Sequence, residues 1–308
     1  MTSGPHLALV GATATGKSHL ALHLARANRT FEIVSVDSMQ VYRGMDIGTA
    51  KPSPTQRADV THHLIDVAEP SEEFTVARYQ REFRAALDGI EARGHRALLV
   101  GGTGLYVRAA VDGLAIPGRY PDALASLETE PDTTALHARL ATIDPIAASR
   151  MEPTNRRRIV RALEVTVGSG RPFSSFGPGL DAYPPTRFRL VGVELPSEVV
   201  AGRIAARYEA QLAEGFVEEV KALADRGDGL SRTARQALGY KELLAHLNGE
   251  CTLAGAVDEA NRRTRRFARR QRVWFRRDPR ITWLCAEADP DELIPSLDDI
   301  ARADWTSS

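Results

Sequence analysis

Apolar and polar positions follow one another along this chain in two textures. Leu7-Ala-Leu-Val10, Phe31-Glu-Ile-Val-Ser-Val36 and Ala97-Leu-Leu-Val100 are short, nearly continuous apolar runs, the pattern of strands covered on both faces. Between them, Lys17 to Ala27 is rich in alanine and leucine and reads as a helix. Phe74 to Arg93 carries apolar residues near helical spacing and stops at Gly94. Strands alternating with helices predict βαβ units and a parallel sheet. From Asp112 the texture changes: Pro117, Gly118, Pro121, Pro131 and Pro145 punctuate short helix-like pieces, and no strand is expected before Arg187 to Leu195. Within that stretch Asn155 is placed to cap a helix over 156–167 that ends at Gly168. Ile159, Leu163 and Val167 share one of its faces, and Arg157, Arg158 and Arg161 point mostly from the others. Beyond it the pattern predicts a long helix from about Ser197 to Arg226, a loop with Gly227 and Gly229, further helices to Arg277 and a last strand over Ile281 to Leu284. The acidic tail past Asp289 is expected to be loosely held.

With 308 residues and 43% apolar content, the chain can bury one full α/β core and has length left for a smaller unit. We divide it into a core over 1–112 and 186–308 and a helical insertion over 113–185. Lys+Arg and Asp+Glu each number 40, so the net charge of zero points to no particular partner. The distribution is more informative. Residues 261–280 hold Arg262, Arg263, Arg265, Arg266, Arg269, Arg270, Arg272, Arg276, Arg277 and Arg280 against the single acid Asp278, a strongly cationic stretch. Cys251 and Cys285 lie far apart and outside any C-x-x-C or Cys/His spacing, which argues against a disulfide framework or a zinc site and fits a reducing cytosol. No apolar run approaches membrane-spanning length, and the first strand begins within ten residues of Met1, leaving no room for a signal peptide. A soluble cytoplasmic monomer is expected.

Gly11-Ala-Thr-Ala-Thr-Gly16-Lys17-Ser18 follows the first strand and opens the first helix, so it meets the G-x-x-x-x-G-K-[ST] pattern in its strand-loop-helix context. Glycines there let backbone N–H groups turn toward an anion, the helix adds its positive end, and Lys17 and Ser18 are placed for phosphate oxygens and Mg²⁺. The fold class that follows is α/β: a P-loop NTPase-like core, with a central parallel sheet flanked by helices, plus the helical insertion. An ordinary P-loop enzyme needs an acid at the end of a neighbouring strand. The strand over Ala97 to Val100 runs into Gly101-Gly102 and supplies none, whereas Asp37 directly follows the strand ending at Val36. Asp37 then stands at the carboxyl edge of the sheet, where it can ligate Mg²⁺ or accept a proton. Ser38-Met39-Gln40 follow it, side chains suited to packing on or hydrogen-bonding a flat base. Two chemistries remain open on these residues alone. One is a small-molecule or nucleotide kinase with ATP in the loop; the other is an alkyl transferase holding the diphosphate of its donor. The arginine runs favour a polyanionic acceptor, which the second uses.

Asp37-Ser-Met-Gln-Val-Tyr-Arg-Gly-Met-Asp-Ile-Gly-Thr-Ala-Lys-Pro-Ser53 is very similar to the signature of the tRNA dimethylallyltransferase (tRNA isopentenyltransferase) family. The resemblance continues through Val100-Gly-Gly-Thr-Gly-Leu-Tyr106, Arg157-Arg-Ile-Val-Arg-Ala-Leu-Glu-Val165, Gly215-Phe-Val-Glu-Glu-Val220, Leu238-Gly-Tyr-Lys-Glu242 and Thr264-Arg-Arg-Phe-Ala-Arg-Arg-Gln271 with Trp274-Phe-Arg-Arg277, nearly the whole chain in the family's order. It implies transfer of a dimethylallyl group from dimethylallyl diphosphate to N6 of the adenosine just 3′ of the anticodon, in tRNAs reading codons that begin with U, with Mg²⁺ as cofactor. By that resemblance Gly11, Ala12, Thr13, Ala14, Thr15, Gly16, Lys17 and Ser18 would hold the donor diphosphate, with Lys17 neutralising the leaving charge and Ser18 reaching the metal. Asp37 would be the general base on a flipped adenine whose edge Ser38, Met39 and Gln40 read. Thr103 would contact tRNA at the channel, and Arg157, Arg158, Ile159, Val160 and Arg161 would grip the anticodon stem-loop. Ala12 and Thr15 replace the family's more usual proline and serine, and Asn155 replaces an aspartate. At 236, where some bacterial relatives carry an arginine that meets the diphosphate, this chain has Gln236 with Arg235 beside it, so both are candidates to close the donor site. No Cys/His finger follows, which resembles the bacterial form.

Overall fold

The computed structural model describes residues 6–303. Six strands, β1 (His6–Gly11), β2 (Phe31–Val36), β3 (His62–His63), β4 (Arg96–Gly101), β5 (Phe188–Glu194) and β6 (Thr282–Cys285), form one sheet in the order β3-β2-β4-β1-β5-β6. Every neighbouring pair is parallel, with Leu9 beside Val100 and Val191, and Val34 beside Leu99. All six residues of β1 and of β2 are buried, the physical counterpart of their continuous apolar runs. Leu9 is 1% exposed at the centre of the sheet, so its truncation to alanine removes packing worth about 2–5 kcal/mol. The order turns outward on either side of β4 and β1, and in such a sheet ligands sit beyond the carboxyl ends of the strands at the reversal. β1 ends there in the glycine-rich loop and β2 ends there at Asp37.

The helices of this unit are α1 (Lys17–Ala27), α2 (Pro54–Asp59), α3 (Val76–Ala92) and α4 (Gly104–Val111), followed by α5 (Pro121–Glu128), α6 (Thr133–Ile143), α7 (Pro145–Ser149) and α8 (Arg156–Ser169) of the insertion. The core resumes with α9 (Ser197–Ala213), α10 (Phe216–Ala224), α11 (Arg232–Arg235), α12 (Tyr240–Leu247), α13 (Leu253–Phe275) and α14 (Ile294–Arg302). The single helix expected over 197–226 is therefore two. Gly215, at φ +98, occupies the left-handed region between them and turns the chain. The tail past Asp289 also departs from expectation: it forms a short 3₁₀ turn over Pro290–Leu293 and then α14, with Leu293, Leu297 and Ala301 buried. Its acids hid an amphipathic helix. Asp291 pairs with His19 at 2.7 Å and Asp298 lies 3.5 Å from His23, which ties this tail to α1. β3, with two residues, is too short to leave a periodic trace in the sequence.

The chain folds as two compact units, Met1–Asp112 with Pro185–Ser308, and Gly113–Pro184. The smaller unit has its own core of Leu127, Leu136, Leu140, Ala147, Ala148, Ile159, Ala162 and Leu163. Helix α8 starts as the sequence predicts, with the Asn155 side chain accepting the Arg158 N–H, but it ends at Gly170 (φ +70). Gly168 is a helical residue packed under Tyr120, whose ring atoms leave no room for a Cβ. Ile159 is fully buried in this core, so its side chain is not free to meet RNA, whereas Val160 is half-buried and packs against the core from its edge. Arg161 donates to Pro117 O at 2.8 Å and Gly118 O at 3.0 Å and pairs with Glu164 at 2.9 Å, which makes it a brace of the unit. Arg157 and Arg158 carry no side-chain bond among the described residues, and Arg158 is exposed.

Candidate active site

The loop from Gly11 to Gly16 joins the end of β1 to the head of α1, the position of the phosphate cradle that the motif specifies. Gly16 caps the helix at φ +88, with no side-chain cap hydrogen bond among the described residues. A Cβ at Gly16 would fall 2.5 Å from the Pro290 ring, so the tail seats directly against the outside of the loop. Ala14 holds φ +63, a left-handed conformation that costs a non-glycine residue about 1–2 kcal/mol and that the surrounding contacts maintain. Its carbonyl accepts Arg203 Nε at 2.9 Å, and the Thr13 hydroxyl accepts Arg207 Nη1 at 3.1 Å. Both arginines come from α9, four residues apart and hence on one side of the helix. The Thr13 N–H donates to Gln271 Oε1 at 2.8 Å, while Gln271 Nε2 donates to Gly102 O at 2.8 Å. One amide from α13 thereby ties the phosphate loop to the second glycine-rich segment.

Lys17 is buried at the floor of the cradle, its ammonium donating to Ala12 O and lying 3.5 Å from Thr15 Oγ1. Burial lowers its pKa to about 7; the charge of Arg207 pushes the same way and Asp37 opposes it. Burial likewise lowers the pKa of Arg207, whose Nε is enclosed without a hydrogen-bond partner, and Asp37 again opposes the shift. Two cations and one carboxylate therefore feel one another across a poorly hydrated space. The excess positive charge suits a multiply charged anion.

Asp37 is oriented by its own turn. Oδ1 accepts the Met39 N–H at 2.8 Å and the Gln40 N–H at 3.3 Å, while Oδ2 has no hydrogen bond among the described residues. The Thr103 hydroxyl, at the head of α4, accepts the Ser38 N–H at 3.3 Å, so Thr103 and the Asp37 turn are one assembly. Beside it the Trp274 indole lies on Gly104, where a Cβ would come within 2.2 Å of the ring. This close approach, rather than any acid, is what the Gly-Gly-Thr-Gly stretch provides. Gln40 has a different task from the base reading expected of it. Its Oε1 accepts Ser35 Oγ at 2.8 Å and its Nε2 donates to the Thr49 and Ala50 carbonyls at 3.2 and 3.3 Å. With its amide so engaged, Gln40 braces the following loop.

That loop is held from the far half of the chain. Glu219 on α10 accepts the N–H groups of Asp46, Ile47 and Gly48 at 2.9, 2.7 and 3.2 Å and the Tyr240 hydroxyl at 2.6 Å. Gln211 on α9 donates to Ile47 O at 2.5 Å. Much of the Asp37–Ser53 block is thus scaffold. Arg235 and Gln236, the expected donor-closing pair, are exposed and make no side-chain bond to the loop; Arg203 and Arg207 do. Sequence reasoning missed Arg203, Arg207 and Gln271. The spacing of the first two on an amphipathic helix was visible, but nothing local says which face meets the phosphate loop.

An all-parallel sheet, a glycine-rich loop running into a helix at the sheet's topological switch, and a buried lysine in that loop define a P-loop NTPase-like α/β protein. Comparison with known proteins narrows this. Residues 40–278 match the family model described as IPP transferase, and the chain belongs to that family. It is 50% identical over 294 residues to the tRNA dimethylallyltransferase of Streptomyces coelicolor, covering 94% of this chain and 93% of that one. The solved structure of a tRNA isopentenylpyrophosphate transferase from Bacillus halodurans superposes with a TM-score of 0.71 at 37% identity, covering 97% of this chain and 96% of its own. A eukaryotic dimethylallyltransferase acting on tRNA shares the fold, with a TM-score of 0.82 at 24% identity over 99% of this chain and 81% of its own.

Proposed function

We propose that this protein transfers a dimethylallyl group from dimethylallyl diphosphate to N6 of the adenosine 3′-adjacent to the anticodon in tRNAs reading U-starting codons, releasing diphosphate. The observation that carries the reading is the pairing of a cationic phosphate cradle with one carboxylate whose Oδ2 is open. A hydrolase would need an acid to orient water, and the strand that should supply one ends in glycine. The relatives' activities support the donor and the acceptor. We read the protein as a cytosolic monomer; no helix among the described residues is long and apolar enough to cross a membrane.

In this reading the donor diphosphate lies on the Gly11–Ser18 backbone with Lys17 and Arg207 against its oxygens, and Arg203 fixes the Ala14 carbonyl behind it. The N6 lone pair is delocalised into the adenine ring, so placement and leaving-group stabilisation both matter. N6 attacks C1 of the dimethylallyl group, the C1–O bond breaks, and its electron pair leaves on the diphosphate held by Lys17 and Arg207. The N6 proton passes to Asp37 Oδ2. The base is reached by flipping it from the anticodon loop past Thr103, with Ser38 and Met39 lining its path. The oxygen donor present fits Mg²⁺, which takes oxygen ligands: the Ser18 hydroxyl is exposed at the head of α1, next to the buried Lys17. Ser18 would hold Mg²⁺ together with diphosphate oxygens, and the ion would supply further neutralisation of the leaving charge.

The test is transfer of label from dimethylallyl diphosphate to unmodified tRNA with Mg²⁺ present, beside the same mixture with ATP as donor. Label at one adenosine supports the reading. Phosphorylation of an acceptor by ATP without prenyl transfer would overturn it.

A further inference from the structure

The loop after Asp37 is seated on a second carboxylate. Successive N–H groups of Asp46, Ile47 and Gly48 converge on Glu219 and form a small anion nest that this side chain fills. Oε2 takes the first two at 2.9 and 2.7 Å, and Oε1 takes the third at 3.2 Å with the Tyr240 hydroxyl at 2.6 Å. Burial, reinforced by the Glu219 charge, raises the Tyr240 pKa well above its ordinary value, so that hydroxyl keeps the proton it donates. Gly48 permits the close approach: a Cβ there would fall 2.2 Å from the Phe216 ring and 2.4 Å from the Tyr240 ring. The loop does not need Glu219 in order to form. Buried Lys51 holds Asp46 at 2.6 Å and Asp66 at 2.5 Å, and Thr49 Oγ1 donates to Met45 O at 2.6 Å. What Glu219 adds is a fixed position against α10.

That position is passed back toward Asp37. The Thr49 and Ala50 carbonyls, next in the chain after the nest, accept Gln40 Nε2 at 3.2 and 3.3 Å, and Ser35 Oγ on β2 donates to Gln40 Oε1 at 2.8 Å. Gln40 is thereby clamped between the loop and the sheet. Its own N–H, with that of Met39, donates to Asp37 Oδ1 and so decides where Oδ2 faces. Among the described residues, Glu219 makes no hydrogen bond to Gly11–Ser18, so its reach is toward the carboxylate and not the phosphate loop. We propose that Glu219 is a positioning residue for the transfer step, acting through the 46–50 loop and Gln40 to aim the Asp37 carboxylate. The proposal rests on Asp37 being the base in the reading above. It places control of the chemical step on a helix from the far half of the chain, where a base held out of line by even 1 Å can cost roughly 100-fold in rate.

The test is single-turnover transfer at saturating dimethylallyl diphosphate and tRNA in wild type, E219Q, D37N and D37N/E219Q, with inorganic diphosphate and tRNA affinities measured separately. A carboxamide at 219 keeps one acceptor oxygen where three N–H groups and a hydroxyl converge, so E219Q should transfer about 10-fold more slowly. Both affinities should stay at their wild-type values. In the D37N background no carboxylate is left to aim, and the same change should lower the residual rate by less than about twofold. Loosened packing alone would slow the two backgrounds alike. Should E219Q fail to fold, E219D, whose shorter stem withdraws both oxygens from the nest, carries the same cycle. An unchanged transfer rate, an equal loss in both backgrounds, or a loss confined to diphosphate or tRNA affinity would overturn the proposal. Failure of the wild type to prenylate tRNA would instead strike the functional reading, so the two failures are distinguishable.

Discussion

Helices α8 and α9 both carry arginines, and they use them in opposite ways. The run in α8 is conspicuous in sequence, yet Arg161 is spent on carbonyls of its own unit and Ile159 fills that unit's core, leaving Arg157 and Arg158 for a partner. In α9, Arg203 and Arg207 are four residues apart and unremarked in sequence, yet both close on the phosphate loop. A charge run reports a solvated face; an enclosed cation reports a site. The difference lies in what each side chain meets across the fold, which spacing within a helix does not encode.

The largest expected effect is at Asp37, the carboxylate whose charge reaches Arg207 on α9. Asp37→Asn should keep tRNA and donor binding and lower the transfer rate by two orders of magnitude or more, the scale of a general base; single-turnover transfer at saturating substrates measures it. Next comes Arg207→Gln, which removes an enclosed cation from the leaving group. Transfer should fall about 10–100-fold with tRNA affinity unchanged, and an equal loss from Arg158→Gln would erase the distinction between the helices. A third effect concerns Lys17. Its pKa of about 7 in the donor-free protein means that it is charged below that pH and must gain a proton to hold diphosphate above it. Diphosphate affinity should therefore weaken by up to about tenfold per unit as pH rises above about 7. Lys17→Arg, which stays charged, should lack this dependence; parallel titrations from pH 6.5 to 9 by calorimetry compare the two.

The smallest effects separate the arginines within α8. Arg161→Ala should destabilise the insertion by about 1–2 kcal/mol through its lost carbonyl bonds, seen in thermal or denaturant melts. Arg157→Ala with Arg158→Ala should leave the melt unchanged and reduce the salt slope of tRNA binding by roughly 1–2. A melt that moves with Arg158 rather than Arg161 would reverse their roles.

Much of the molecule was legible in the order of its residues. The runs at Leu7–Val10, Phe31–Val36 and Ala97–Val100 became β1, β2 and β4, because strands covered on both faces must be apolar throughout. Illegible features share a cause. The break at Gly215 depends on one residue's φ, the amphipathic tail was masked by acids that pair with His19 and seat near His23, and Gln40 reads as a base contact until its amide is seen on Ser35, Thr49 and Ala50.

By itself the sequence determined the parallel-sheet class, the phosphate loop, the position of Asp37 at a strand end and the family to which the chain belongs. Each of these is written in contiguous residues, since a strand, a loop and a helix N-terminus are built from neighbours in the chain. Only the tertiary structure decided that Arg203, Arg207 and Gln271 complete the cradle, that Glu219 clamps the loop after Asp37, and which arginines remain unpaired. Those partners are separated by more than a hundred residues, and they meet because packing of the apolar faces brings their helices over the same edge of the sheet.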